Sequence, residues 1–206
     1  MSFIKHAIIS AAGMGTRLGL NMPKCLLKFG NVSIIEHQLN LLKDIKDVRV
    51  VVGFMEKDVI KTVKSIRNDV IFVRNPHYQE TSNTYSISLV SKSVKNPHIL
   101  IDGDLLINKK SFNEFVKAFN GKHSLIGITK SSTDDAVYIE LNHDNEVINF
   151  SREKKGQYEW SGIACMSNIT ITKEDPYLYQ ILEKYLPLKA KFIECFEIDT
   201  ADDLNR

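Results

Sequence analysis

From residue 4 to residue 104 the apolar positions alternate between two rhythms. IKHAIIS (4–10), VRVVVG (48–53), VIFVRN (70–75) and HILIDGD (98–104) are short, nearly continuous apolar runs, each one strand long. Between them SIIEHQLNLLKDI (33–45), EKDVIKTVKSI (56–66) and SNTYSISLVSKSV (82–94) repeat their apolar residues at helical spacing. A strand that is apolar on both sides has to be covered on both sides, and intervening helices supply that cover. The first half is therefore predicted to be a Rossmann-like three-layer α/β/α sandwich around a mainly parallel central sheet.

After residue 120 the rhythm shortens. SLIGITK, AVYIELN, EVINFS and EWSGIACMS read as short strands, with a turn at HDNE between the second and third, and predict hairpins or antiparallel additions to the sheet. A helix around PYLYQILEKYL, a last strand KFIECFEID and a short polar helix opening near Asp199 and Thr200 complete the prediction. No repeat, linker or low-complexity tract interrupts the 206 residues, so a single domain over 1–206 is expected.

Composition narrows the classes. A content of 43% hydrophobic and 25% charged residues is that of a globular chain able to bury a core without staples. No apolar run approaches the roughly 18 to 20 residues of a membrane span, and MSFIKHAIIS lacks the long apolar stretch of a cleavable signal. A cytoplasmic location without membrane insertion is the expectation. Cys25, Cys165 and Cys195 are scattered and form no C-x-x-C pair, and the six histidines show no metal-ligand spacing. The net charge of +2 is spread along the chain, which speaks against nucleic acid as a partner.

The first strand runs straight into AAGMGTRLGLNMPK (11–24). Open α/β folds bind ligands at the carboxyl ends of their strands, and small residues there let backbone N–H groups approach an anion closely. This loop is suited to phosphate. A dinucleotide fingerprint does not fit, because the spacing is Gly13-x-Gly15-x-x-x-Gly19, Pro23 follows, and no acid falls at the ribose position. A Walker loop is absent from the sequence.

AAGMGTR followed by Pro23-Lys24 resembles the A-A-G-x-G-[ST]-R…P-K signature of the sugar-nucleotide and cytidylyltransferase type of nucleotidyltransferase. VVG, SNTYS, IDGD, REKK before WSGIA, and FEIDTADDL follow in the family's order. The resemblance implies a GT-A-like nucleotidyltransferase fold. A nucleotide-binding half covers about 1–120, and about 121–206 forms a small antiparallel acceptor-side part. It further implies a nucleoside triphosphate and a small phosphorylated acceptor as partners, and Mg²⁺ as cofactor. Such chemistry is mainly positioning and charge stabilisation, so no Ser-His-Asp device is needed.

By the same resemblance, Ala11, Ala12, Gly13, Gly15 and Thr16 cradle the triphosphate, Arg17 pairs with its β and γ phosphates, and Lys24 neutralises the α-phosphate. Asp104 is the metal ligand, joined by Asp199. Asp102 and Asp104 are expected to divide between the two faces, only one facing the phosphates and Asp102 being left to ribose contact or loop order. Asn83 and Ser86 are nucleotide contacts. Lys154 is the candidate grip on the acceptor phosphate, with Lys155 an alternative, while Trp160 either lines the acceptor pocket or packs and Gly162 allows close approach. The compact chain and the EID[ST] ending look most like the bacterial phosphocholine cytidylyltransferase group. CTP and a phosphocholine-like, polyol phosphate or phosphonate acceptor are thus favoured, for decorating surface polysaccharide or lipid. A sugar-1-phosphate enzyme using UTP, dTTP or GTP is the alternative, and a non-catalytic nucleotide-binding module a further one. A homodimer through the edge hairpins after residue 120 stays open.

Overall fold

The computed structural model describes residues 3–15, 19, 21–94, 97–132 and 134–198. The chain opens with β1 (His6–Ala11), a turn of 3-10 helix (Lys24–Leu26) and a small hairpin of β2 (Lys28–Phe29) and β3 (Val32–Ser33). Then come α1 (Ile34–Leu41), β4 (Asp47–Val52), α2 (Glu56–Ile66), β5 (Ile71–Arg74), α3 (Asn83–Ser91), β6 (His98–Asp102), β7 (Leu105–Ile107) and α4 (Lys109–Ala118). The second half supplies β8 (Leu125–Lys130), β9 (Tyr138–Leu141), β10 (Glu146–Ser151), β11 (Tyr158–Met166), α5 (Leu178–Glu183), β12 (Leu188–Phe192) and β13 (Cys195–Glu197).

The central sheet has nine strands in the order β5-β4-β1-β6-β11-β8-β12-β10-β9. The first four are parallel, as the near-continuous apolar runs predict. β11 then runs antiparallel to both β6 and β8, and β12 lies parallel to β8. β9 pairs with β10 and also with β11, so the far end of the sheet curls back and five strands close a ring. That closure joins segments distant in sequence, which periodicity cannot foretell.

Successive side chains of β1 go to opposite faces. Ala7, Ile9 and Ala11 join one core with Ile35 and Leu39 of α1, Val59 and Val63 of α2, and Phe112 and Phe115 of α4. Ile8 joins the other core with Ile87 and Val90 of α3 and Ile181 and Leu182 of α5. The three layers are those predicted.

Besides the short strands β2, β3 and β7, a helix and the last strand depart from the prediction. Helix α4 was not expected, because KKSFNEFVKA carries few apolar positions; its start signal is Asn108, whose side chain accepts from Lys110 N at 2.9 Å and Ser111 N at 3.1 Å. The expected last strand is two strands. Ile193 is fully buried and its N–H donates to Ile128 O at 2.9 Å, after which the chain leaves the main sheet and β13 pairs with β7 instead. The polar helix expected near Asp199 and Thr200 lies outside the described residues.

One buried group carries a pH consequence. His98, at the start of β6, is 2% exposed, and neither ring nitrogen has a partner among the described residues. Burial first, and then the neighbouring His6, push it down from 6.5 to about 4. His6 itself meets Asp47 at 2.9 Å, and Arg49 holds the Asp47 carboxyl down near 2. Between pH 6.5 and 4 the unfolded chain protonates this histidine and the folded chain does not, so stability falls with falling pH across that window by about 3 kcal/mol. Asp47 acts only below about pH 4, outside it. His98→Leu should therefore lose less melting temperature than the wild type between pH 7 and pH 4.5, read by thermal denaturation at both pH values.

Candidate active site

The carboxyl ends of β1 and β6 lie side by side, with Ser10 in register with Asp102. The loops that leave them form the walls of a cleft of about 320 Å³, within the size range of small-molecule sites. Ala11 and Ala12 are buried at its base, while a side chain at Gly13 would meet nothing within 4 Å. Gly15 adopts a φ of +61°, and a Cβ there would sit 2.9 Å from Lys24 Cγ. Glycine at this point lets the Lys24 side chain cross under the loop.

Pro23 leads into the short 3-10 turn that aims Lys24 across the cleft. Its Nζ lies 3.0 Å from Asp104 Oδ2 and 4.0 Å from Glu197 Oε1. Asp104 sits beyond the turn at Gly103, whose N–H donates to Ser10 O at 2.8 Å. A Cβ on Gly103 would fall 2.5 Å from that same oxygen and 3.0 Å from Ala11 Cα, so only glycine brings the two loops this close.

Asp102 closes the back of the cleft. Asn83, at the start of α3, donates from Nδ2 to Asp102 Oδ1 at 2.7 Å, and the Ser10 hydroxyl donates to Asn83 Oδ1. On the other side Gly162, with φ +75°, leaves room for Asp102, since a Cβ there would be 2.9 Å from Oδ2. Dense surroundings, and secondarily the charge of Asp104, raise the Asp102 carboxyl to about 7, against the pull of Asn83 and Lys24. Cys25 also lines the cleft, but burial pushes its thiol up to about 12, which removes it as a nucleophile near neutrality.

The structure thus brings Ala11, Ala12, Gly13, Gly15, Lys24, Asn83, Ser86, Asp102 and Asp104 to one cleft. Thr16, Arg17 and Asp199 lie outside the described residues. The expected division of Asp102 and Asp104 between two faces does not occur: residues two apart on a strand would share a face, and here β6 ends at Asp102 and the turn through Gly103 brings Asp104 to the same cleft. Lys154 is exposed on the turn after β10, where its N–H donates to Ser151 Oγ at 2.9 Å, and Lys155 pairs with exposed Asp134. Trp160 is half-buried against the second core, and Gly162 reaches the cleft through Asp102. Glu197 was missed by sequence reasoning. Its signal is position in the sequence: it stands two residues before Asp199 in the FEIDT segment that the family resemblance had already singled out.

Among the described residues no three His, Cys, Asp or Glu side chains gather as a closed metal cage. Mg²⁺ needs no such cage, since it takes one or two carboxylates and completes its shell with phosphate and water oxygens. Asp104 and Glu197 present hard oxygen donors within 4.0 Å of the Lys24 ammonium, an arrangement that already holds one cation. The donor set fits Mg²⁺.

Residues 7–153 match the family described as the MobA-like NTP transferase domain. The chain belongs to that family. A curated relative, the choline-phosphate cytidylyltransferase of Streptococcus pneumoniae, is 35% identical over 113 residues, 52% of this chain and 47% of the relative. The chain thus matches about half the length of that relative. Among solved structures, the inositol-1-phosphate CTP transferase from T. maritima superposes with a TM-score of 0.81 at 20% identity, over 98% of this chain and 93% of that one. The CTP:phosphocholine cytidylyltransferase of Streptococcus pneumoniae gives 0.80 at 24%, over 97% and 96%. At these identities the structural likeness is one of fold, and it agrees with the nucleotidyltransferase sandwich expected from the sequence. No helix among the described residues is long and apolar enough to cross a membrane.

Two glycines of the MobA-like domain should respond differently to a methyl group. Gly103→Ala forces backbone apart and is expected to lose about 1–3 kcal/mol. Gly13→Ala points into open space and should stay within about 0.5 kcal/mol of the wild type. Urea denaturation of both variants reads the contrast.

Proposed function

We propose that the protein is a Mg²⁺-dependent nucleotidyltransferase that moves CMP from CTP to a small phosphorylated acceptor and releases pyrophosphate. The observation that carries this reading is the meeting of Lys24 and Asp104, 3.0 Å apart, at the mouth of a small-residue loop at the carboxyl end of a parallel sheet. An acceptor phosphate oxygen bonds to the α-phosphorus while the bond from that phosphorus to the β-bridging oxygen breaks. The nucleophile is already an anion, so the chain has no proton to remove.

Charge develops on the α-phosphate and on the departing pyrophosphate, and fixed cations and dipoles stabilise it. The backbone around Ala12, Gly13 and Gly15 holds the triphosphate, and Lys24 serves as a point charge at the α-phosphate. Arg17 is assigned to the β and γ phosphates, as the bidentate geometry of a guanidinium suits. Asp104 and Glu197, with Asp199, would hold Mg²⁺, which supplies charge neutralisation across the phosphates when bound. Asn83, fixed by Ser10 and Asp102, and Ser86 face the nucleoside.

CTP and a small phosphorylated acceptor are both favoured by the likeness to the choline-phosphate cytidylyltransferase. Phosphocholine-like compounds, polyol phosphates and phosphonates are the acceptor classes, and decoration of bacterial surface polysaccharide or lipid is the proposed use. Lys154 and Trp160 are the candidate acceptor contacts.

Pyrophosphate release with Mg²⁺ tests the reading, with CTP, UTP, dTTP, GTP and ATP each offered to phosphocholine, glycerol phosphates, aminoethylphosphonate and hexose 1-phosphates. Release with CTP and a non-sugar phosphate is the expected result. Release only with hexose 1-phosphates moves the protein to the sugar-nucleotide enzymes, and silence with tight nucleotide binding makes it a binding module. In the active pairing, Lys24→Ala should lower kcat by about 100-fold or more while CTP still binds.

A further inference from the structure

The turn that carries Asp104 is gripped from below by one side chain to which the sequence assigns no role. Gln38 stands in the middle of α1 and is completely buried. Its Nε2 donates to Asp102 O at 2.8 Å and to Leu105 O at 2.8 Å. A primary amide has two N–H donors, and here one goes to each end of the turn. From the opposite side Gly103 N–H donates to Ser10 O at 2.8 Å, and Ile198 N–H donates to the Asp104 carbonyl at 3.4 Å. The backbone around Asp104 is thereby tethered to α1, β1 and the strand that ends at Glu197.

The other half of the same amide is unused. Gln38 Oε1 is buried and has no hydrogen-bond partner among the described residues. An orphaned buried acceptor costs stability that a leucine or methionine at this position would not. Packing against the neighbouring Ile35 and Leu39 therefore does not account for a glutamine here. Two donors aimed at the Asp102–Leu105 turn do.

We propose that Gln38 is a positioning residue that sets the Asp104 carboxylate for divalent metal by bridging the two ends of its turn. This rests on the metal role proposed above for Asp104. Mg²⁺ and Mn²⁺ accept only a narrow range of oxygen positions, so a turn free to shift by a fraction of an ångström presents the carboxylate poorly. Groups that orient a metal ligand without touching the metal typically contribute 10- to 100-fold to affinity or activity.

The test is Mn²⁺ titrated into the protein holding a non-hydrolysable CTP analogue, with the ion's affinity for the complex read by electron paramagnetic resonance against its affinity for the free analogue. Four proteins are compared: wild type, Asp104→Ala, Gln38→Met and Leu39→Ala. Methionine keeps the length and burial of Gln38 and removes both donors, while Leu39→Ala damages the same stretch of helix without touching the turn. The expected result is an affinity no better than that of the free analogue in Asp104→Ala and about tenfold weaker binding than the wild type in Gln38→Met. Leu39→Ala should melt lower than Gln38→Met yet bind Mn²⁺ as the wild type does. Loss in Asp104→Ala with unchanged affinity in Gln38→Met overturns this inference alone, and so does an equal loss in Leu39→Ala. Wild type that binds no better than Asp104→Ala overturns the metal reading, and this inference with it.

Discussion

The parallel pairing of β1 with β6 is the constraint on which the cleft depends. It sets Ser10 beside Asp102, and Gly103 then closes the gap between the two emerging loops with a 2.8 Å hydrogen bond to Ser10 O. Nothing larger than glycine fits between them. From that contact the rest follows in order. The first loop, passing Gly15, delivers Lys24, and the second delivers Asp104, 80 positions later in the sequence, to within 3.0 Å of it. The sheet on either side, buried on both faces, is what keeps the two strand ends from drifting apart.

The cleft is built from groups that would be costly if left alone. Lys24 and Asp104 are 14% and 20% exposed, and charges so far removed from water need partners. They serve as each other's partner in the protein by itself. Asp102 sits in surroundings dense enough to raise its carboxyl to about 7, and Gln38 leaves an acceptor unsatisfied among the described residues. Polar groups held under such conditions near the carboxyl ends of the strands weaken the fold locally, and in return they hold the ligand-facing atoms in place. The remaining cores, from Ile8 and Ile9 outward, are ordinary apolar packing and carry that cost.

Much of this was legible in the residues. The continuous apolar runs foretold the four parallel strands, α2 falls on the predicted 56–66 and β10 on the predicted EVINFS, because local periodicity sufficed there. The A-A-G-x-G loop and Pro23-Lys24 pointed to the cleft, and IDGD to its far wall. What escaped was set by distant contacts. Helix α4 has too few apolar residues to announce itself, and its cap at Asn108 was the readable sign. The split of the last strand follows from Ile193 being drawn into the core and β13 finding β7. That Gly162 stands against the Asp102 carboxylate is a contact made across 60 residues, which spacing along the chain does not announce. Glu197 and Gln38 touch the site only because β13 and α1 pack where they do.

A crystal structure with Mg²⁺ and a non-hydrolysable CTP analogue tests the account most directly. The account predicts the metal between the Asp104 carboxylate and the phosphates, with Lys24 Nζ turned from Asp104 onto the α-phosphate and the triphosphate lying along Ala12 to Gly15. A nucleotide bound elsewhere, or one bound here with Lys24 still paired to Asp104 and no metal at that carboxylate, would contradict it.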